Sequence, residues 1–180
     1  NNPTRNNNPS LPNNLPLDPQ DSHRSPSSIP SARVVTYNIH TLGQEASSAR
    51  SKRLLTNLLF LSSHTEVLFI QETREHIDKE NPTLHPNIPL IPGFTPFSNP
   101  NTDVPNSGGT CIYIRNTFLE TFQIREGMHK IVADGYIHML SLLPRKGPSP
   151  PLLLINIYLP CGNSVEAQTM RASCLSALKS

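Results

Sequence analysis

Val67-Leu68-Phe69-Ile70-Gln71-Glu72-Thr73 runs from apolar side chains straight into an amide, a carboxylate and a hydroxyl. A short apolar run of this kind, with β-branched and aromatic members, reads as a core strand, and its polar end as the exit of that strand into a loop. A side chain at a strand end is held more firmly than one on a free loop, which makes Glu72 a candidate metal ligand. A solvated acid that caps the next segment would share the same local sequence, so the company Glu72 keeps must decide.

Upstream, Val34-Val35-Thr36-Tyr37-Asn38-Ile39 is a second β-branched and aromatic run, ending in the polar His40-Thr41-Leu42-Gly43. Between the two runs the period changes. Leu54, Leu55, Leu58, Leu59 and Leu61 give an apolar stripe that predicts a helix from about Ser48 to Ser62. Ser47 or Ser48 would cap it, and Arg50, Lys52 and Arg53 would lie on its wet side. The result is a strand, helix, strand unit.

Downstream, prolines between Asn81 and Pro105 leave room for an irregular connection and a short strand at Gly93 to Ser98. Ser107-Gly108-Gly109 then turns into Thr110-Cys111-Ile112-Tyr113-Ile114, whose alternation fits a strand. Further strands are expected at Lys130 to Ala133, Tyr136 to Leu143 and Leu152 to Tyr158, the last two joined by Pro144-Arg145-Lys146-Gly147-Pro148 and so antiparallel. Ala167, Met170, Cys174 and Leu178 share one face of a closing helix. This order predicts an α+β class, a layered β-sandwich of mainly antiparallel sheets flanked by helices.

Composition sets the outer bounds. The chain has 180 residues, 36% of them hydrophobic and 16% charged, with 19 prolines, so one domain core is expected and part of the chain stays outside it. Residues 1–32 are built from Asn, Pro and Ser and read as a disordered tail, with residues 33–180 as the folded unit. A net charge of +2 is too small to argue for nucleic acid by bulk electrostatics. Cys111, Cys161 and Cys174 form an odd count without Cys-x-x-Cys spacing, which indicates neither a disulfide framework nor a zinc site and points to reducing, intracellular surroundings. The longest apolar stretch, Leu152 to Leu159, contains Asn156 and is too short to span a bilayer, so a soluble protein is expected. Residue 1 is Asn and the closing helix reaches Ser180, which reads as a piece of a longer product. A sheet lacking later strands would leave an open edge and an apolar face, and so a tendency to aggregate.

Three strand ends stand in the order Thr36-Tyr37-Asn38-Ile39, Phe69-Ile70-Gln71-Glu72-Thr73 and Asn156-Ile157-Tyr158-Leu159-Pro160, with Ser107-Gly108-Gly109-Thr110-Cys111-Ile112 between the second and third. That set resembles the endonuclease/exonuclease/phosphatase superfamily, and within it the apurinic-endonuclease-like domains that open the polyproteins of non-LTR (LINE-type) retrotransposons. The resemblance covers residues 33 to 180, the N-terminal part of such a domain, so the fold is expected to be truncated at its C-terminus. It implies hydrolysis of a phosphodiester, with DNA nicking as the activity and Mg²⁺ or Mn²⁺ as the cofactor. DNA and a downstream reverse transcriptase region are the implied partners, and a nuclear destination would follow from that role although no basic cluster encodes it.

Site residues are implied one by one. Glu72 matches the glutamate that holds the divalent cation; Asn38 matches the asparagine that orients the metal site and the scissile phosphate; Tyr158 matches the tyrosine of the Tyr-x-Pro stretch, near the phosphate. Where the subgroup has Asn after this Pro, the chain has Cys161, and the nearest Asn is Asn163. The family's water-activating Asp-x-Asn and closing Ser-Asp-His motifs do not occur in the 180 residues, and Asp78, Asp103 and Asp134 come in the wrong order to replace them. His40, His64, His76, His85, His129 and His138 are scattered, without helical ligand spacing, and none is assigned. Two other readings share these residues. One is a catalytically inactive retroelement remnant or interaction fragment; the other is a phosphatase or lipid phosphodiesterase of the same superfamily, against which the Tyr158-Leu159-Pro160 stretch argues.

Overall fold

The apolar runs become strands, and the computed structural model describes residues 31–39, 49–74, 88–102, 107–148 and 150–179. The tail through residue 30, Ser47 and Ser48, His40, His76, His85, Asp78 and Asp103 lie outside the described residues. In chain order the elements are β1 (Val34–Asn38), α1 (Ala49–Ser62), β2 (Val67–Gln71), β3 (Phe94–Asn99), β4 (Thr110–Arg115), α2 (Asn116–Thr121), β5 (Phe122–Ala133), β6 (Ile137–Pro144), β7 (Leu152–Ile157) and α3 (Val165–Ala177).

β1 and β2 pair in parallel, Asn38 opposite Gln71, because α1 supplies the crossover that parallel neighbours require. β4 adds antiparallel to β2, and β3 to β4, giving a four-stranded sheet in the order β1-β2-β4-β3. The other three strands form a purely antiparallel sheet, β5-β6-β7, in which the hairpin expected between β6 and β7 is present. Val67, Ile112 and Ile114 of the first sheet pack on Leu140, Leu142 and Leu154 of the second. On the opposite face of the first sheet, Leu68, Ile70, Cys111 and Tyr113 pack with Leu58 of α1. The expected two-sheet α+β sandwich is therefore the fold.

Several local expectations are corrected by this packing. β4 was expected to alternate, yet Thr110 through Ile114 are all buried, because the strand is central and has the second sheet on one face and apolar partners on the other. In α1, Leu58 is buried and Leu54 and Leu61 partly so, while Leu55 and Leu59 remain 40% and 42% exposed. Positions 54, 58 and 61 fall on one side of a helix, and 55 and 59 are turned from them by about a third of a turn. The strand expected from Lys130 starts at Phe122, and its register with β6 shifts between Ile124 and His129. The short α2 carried no periodic signal; it is held by Phe118, which is buried and stacks on Phe122 at 4.8 Å.

Two polar fastenings steady the ends. Arg115 stacks over the Phe94 ring at 4.7 Å and donates to the carbonyls of Thr65 and Ser62, satisfying acceptors where α1 ends. α3 begins at Ser164, whose Oγ accepts from Ala167 N at 3.2 Å. Cys174 is buried with Tyr136 and Ile137, and Met170 packs against them, whereas Leu178, expected on the same face, is past the helix and 37% exposed.

β7 lies at one end of the second sheet, and its outward side chains Leu153, Ile155 and Ile157 are 52%, 36% and 39% exposed. Replacing Leu153 and Ile155 together by the strand-forming Thr should change stability by only about 1 kcal/mol. Light scattering and size-exclusion chromatography should show less self-association in this variant. A large drop in melting temperature would mean that this face is covered in solution.

Candidate active site

The site assembles where β1, β2 and β7 end. Register places Asn38 beside Gln71, so the next residue, Glu72, leaves the sheet within reach of the Asn38 side chain. Asn38 Nδ2 donates to Glu72 Oε1 at 3.0 Å. Arg74 Nη2 reaches the other oxygen, Oε2, at 3.1 Å. The Tyr158 phenol lies near enough to feel the same carboxylate. Glu72 is 5% exposed, so its charge sits largely out of water and is held by named donors. The structure thus brings Asn38, Glu72 and Tyr158 together.

The backbone at this point is unusual. Glu72 and Arg74 adopt left-handed φ values of 55° and 47°, a conformation that costs a non-glycine residue about 1–2 kcal/mol. The glycine turn before β4 offsets it: Gly109 O accepts from Thr73 N at 3.1 Å and Gly108 O from Arg74 N at 2.9 Å. Gly109 N in turn donates to Gly135 O at 2.9 Å, which ties the turn to the second sheet. A Cβ on Gly109 would sit 2.1 Å from Thr73 Oγ1, and its φ of 87° already demands glycine. The Gly108-Gly109 pair therefore supports the Glu72 turn directly.

Tyr158 is set from the other sheet. Its N–H donates to Tyr136 O at 2.8 Å, and the two rings stack at 6.0 Å and 10°. Burial first, and then the neighbouring Glu72 carboxylate, hold the Tyr158 phenol well above its ordinary value. Two residues earlier, the buried Asn156 crosses the gap between sheets. Its Nδ2 donates to Ile70 O and Cys111 O, both at 2.9 Å, and its Oδ1 accepts from Gln71 Nε2 at 2.7 Å. Gln71 Nε2 also reaches Thr36 Oγ1 at 2.9 Å. One polar chain thereby joins β1, β2, β4 and β7 beside Glu72.

Asn156 and Arg74 were not assigned from the sequence. A signal existed for Asn156: it shares the inward phase of β7 with Leu154 and is the one polar member of that run, and a buried amide in such a place needs partners. Arg74 gave no signal, since only the turn geometry returns its side chain to Glu72. Cys161 and Asn163 are exposed after β7. Asp134 accepts from Thr102 Oγ1 at 2.7 Å and is exposed. His138 is buried in β6 opposite Asn156, and His64 lies exposed after α1, its ring edge-on to Phe60.

Donor chemistry decides which metal could suit these residues. Among the described residues no group of three His, Cys, Asp or Glu converges, so no zinc-type cage forms there. Glu72 and Asn38 offer oxygen donors only, and Mg²⁺ is typically held by one or two carboxylates with phosphate and water completing its shell. The residues present fit a hard divalent cation.

This architecture is the AP-endonuclease-like fold. The chain is similar to the AP endonuclease LMAP from Leishmania major, with a TM-score of 0.60 and 19% identity over 82% of this chain and 47% of that one. It is also similar to the APE2 catalytic domain of Xenopus laevis, with a TM-score of 0.51 and 15% identity over 81% of this chain and 51% of the other. The chain thus spans about half the length of these structures. No family model and no curated protein matches the sequence. Among the described residues no helix is long and apolar enough to cross a membrane.

Two measurements check the geometry. Gly109→Ala should destabilise the fold by more than about 2 kcal/mol, whereas Gly147→Ala, where the added Cβ meets nothing within 4 Å, should cost only about 1 kcal/mol for its positive φ. Equal losses in chemical denaturation would remove the special role of Gly109. Because its contacts favour the protonated phenol, Tyr158 should stay neutral above the pH at which an ordinary tyrosine ionises. Glu72→Gln should bring it down, seen as phenolate absorbance that appears at lower pH and is missing in Tyr158→Phe.

Proposed function

We propose that this chain carries the cation-holding half of a Mg²⁺-dependent phosphodiesterase site, of the kind that nicks DNA, in an endonuclease of retroelement type. The observation that carries the reading is the buried Glu72 carboxylate, held by Asn38 with Tyr158 beside it, where two sheets meet. The AP endonuclease fold neighbours support DNA as the substrate class. The order of the Asn38, Glu72 and Tyr158 strand-end motifs supports the retroelement type, with a reverse transcriptase region as the partner on the same polyprotein. The domain is taken to begin at residue 33, after the Asn/Pro/Ser-rich tail.

The chemistry divides among the residues. Glu72 is the anchor for Mg²⁺ or Mn²⁺, with Asn38 holding one carboxylate oxygen in place by its amide N–H. A divalent cation bound there supplies stabilisation of charge on the phosphate and on the leaving oxygen. Tyr158, kept protonated, presents an O–H donor at the same point, suited to a phosphate oxygen. The activation of water falls to none of these groups, and the 180 residues contain no Asp-x-Asn or Ser-Asp-His stretch to perform it. Cys161 after Tyr158-Leu159-Pro160, in place of the subgroup's Asn, favours a second reading in which the chain is a non-catalytic remnant or interaction fragment.

Titration with Mn²⁺ followed by electron paramagnetic resonance tests the first reading. The chain should bind the ion, and Glu72→Ala should weaken binding by about tenfold or more. No binding, or binding indifferent to Glu72, would exclude a cation site here. The 180-residue chain alone should not nick supercoiled plasmid appreciably. Followed by a segment carrying both missing motifs, it should nick with Mg²⁺, and Glu72→Ala should reduce the rate by about 10²-fold or more. Inertness of that longer protein would favour the remnant.

A further inference from the structure

A carboxylate taken out of water must be neutralised or paired. The Glu72 side chain is 6% exposed, and Arg74 Nη2 lies 3.1 Å from its Oε2. This pairing is built by the backbone. Glu72 and Arg74 are both left-handed, and Arg74 N–H is fixed to Gly108 O at 2.9 Å, so the chain turns back and lays the guanidinium over the carboxylate two residues earlier. The contact is single: Nη2 makes it, while the buried Nε has no partner among the described residues. The Arg74 side chain is 40% exposed, which leaves it a route into solvent.

We propose that Arg74 is an exchangeable counter-ion for Glu72, neutralising the carboxylate when no divalent cation is bound and yielding Oε2 when one arrives. The inference rests on reading Glu72 as the cation anchor. A guanidinium on Oε2 repels a divalent cation approaching the same carboxylate, so the two compete for it. Guanidinium suits the first state because its planar fork can hold a carboxylate through one edge. The single bond and the exposed stem make it displaceable, whereas a bidentate, buried pair would lock the site.

Two consequences distinguish this role from a simple structural ion pair. Arg74 should lower the affinity of the site for divalent cations, and it should matter more to the stability of the metal-free protein than to that of the metal-loaded one. The test compares wild type with Arg74→Ala, Arg74→Gln, Arg74→Lys and Glu72→Gln by Mn²⁺ titration and by thermal melting with and without saturating Mg²⁺. Arg74→Ala and Arg74→Gln should bind Mn²⁺ roughly threefold tighter or better. Arg74→Lys, which keeps the charge, should stay near wild type. Without Mg²⁺ the neutral variants should melt below wild type, and saturating Mg²⁺ should narrow that gap.

Unchanged or weaker Mn²⁺ binding in both neutral variants, or a melting gap indifferent to Mg²⁺, would overturn the counter-ion role while leaving Glu72 as anchor intact. Should Arg74→Ala fail to fold, Arg74→Gln retains a donor of similar shape and decides the matter alone. A wild-type protein that binds no Mn²⁺, or binds it equally well as Glu72→Gln, would sink the anchor reading and this inference with it.

Discussion

The side chain of Asn156 ties the two sheets together beside the candidate site. Much of the packing between the sheets is apolar, Val67, Ile112 and Ile114 against Leu140, Leu142 and Leu154, and such contacts resist separation more than they resist sliding. Asn156 adds direction: it donates to one carbonyl on β2 and one on β4, and accepts from Gln71. Each bond contributes a net of about 1 kcal/mol, but a buried amide left unpaired costs about 1–3 kcal/mol, so a shifted arrangement is penalised more than the native one is rewarded. Gln71 precedes Glu72 and Asn156 stands two residues before Tyr158, so this relation sets the tyrosine near the carboxylate.

The same end of the sandwich concentrates costs that the rest of the fold must offset. Glu72 is charged, buried and left-handed. Its turn persists because Gly108 and Gly109 accept from Arg74 and Thr73, and because Gly109 is tied to Gly135. Asn99 reinforces the far side, its Oδ1 accepting from Gly135 N at 3.1 Å and its Nδ2 donating to Ala133 O and Ile137 O. Strain of this sort, over-determined by its surroundings, marks the positions where geometry serves chemistry before stability.

Much of the fold was legible in the chain because its signals are local. The apolar runs at Val34 and Val67 announce strands by composition, and the leucines of α1 announce a helix by period. The expected sandwich followed from their order. Other features had no local signature. Whether Leu55 or Leu58 turned inward depended on where the sheet met the helix, and the burial of both faces of β4 depended on layers contributed by distant segments. The length of β5 was missed because its Phe122 end gains strand pairing only from β6, Phe122 lying opposite Pro144.

By itself the sequence determined which residues could hold a cation, since carboxylate, amide and phenol chemistry belongs to Glu72, Asn38 and Tyr158 wherever they lie. It also determined that these residues stand at strand ends, because apolar runs stop there. Only the tertiary structure decided that they meet. Asn38 reaches Glu72 through the parallel register of β1 on β2, and Tyr158 arrives from the other sheet. Arg74 comes back onto Glu72 through a turn that Gly108 and Gly109 stabilise from elsewhere in the chain. The physical reason is that hydrogen bonds and ion pairs act over about 3 Å, while the residues that make them are separated by whole elements whose relative placement the inter-sheet core and Asn156 set.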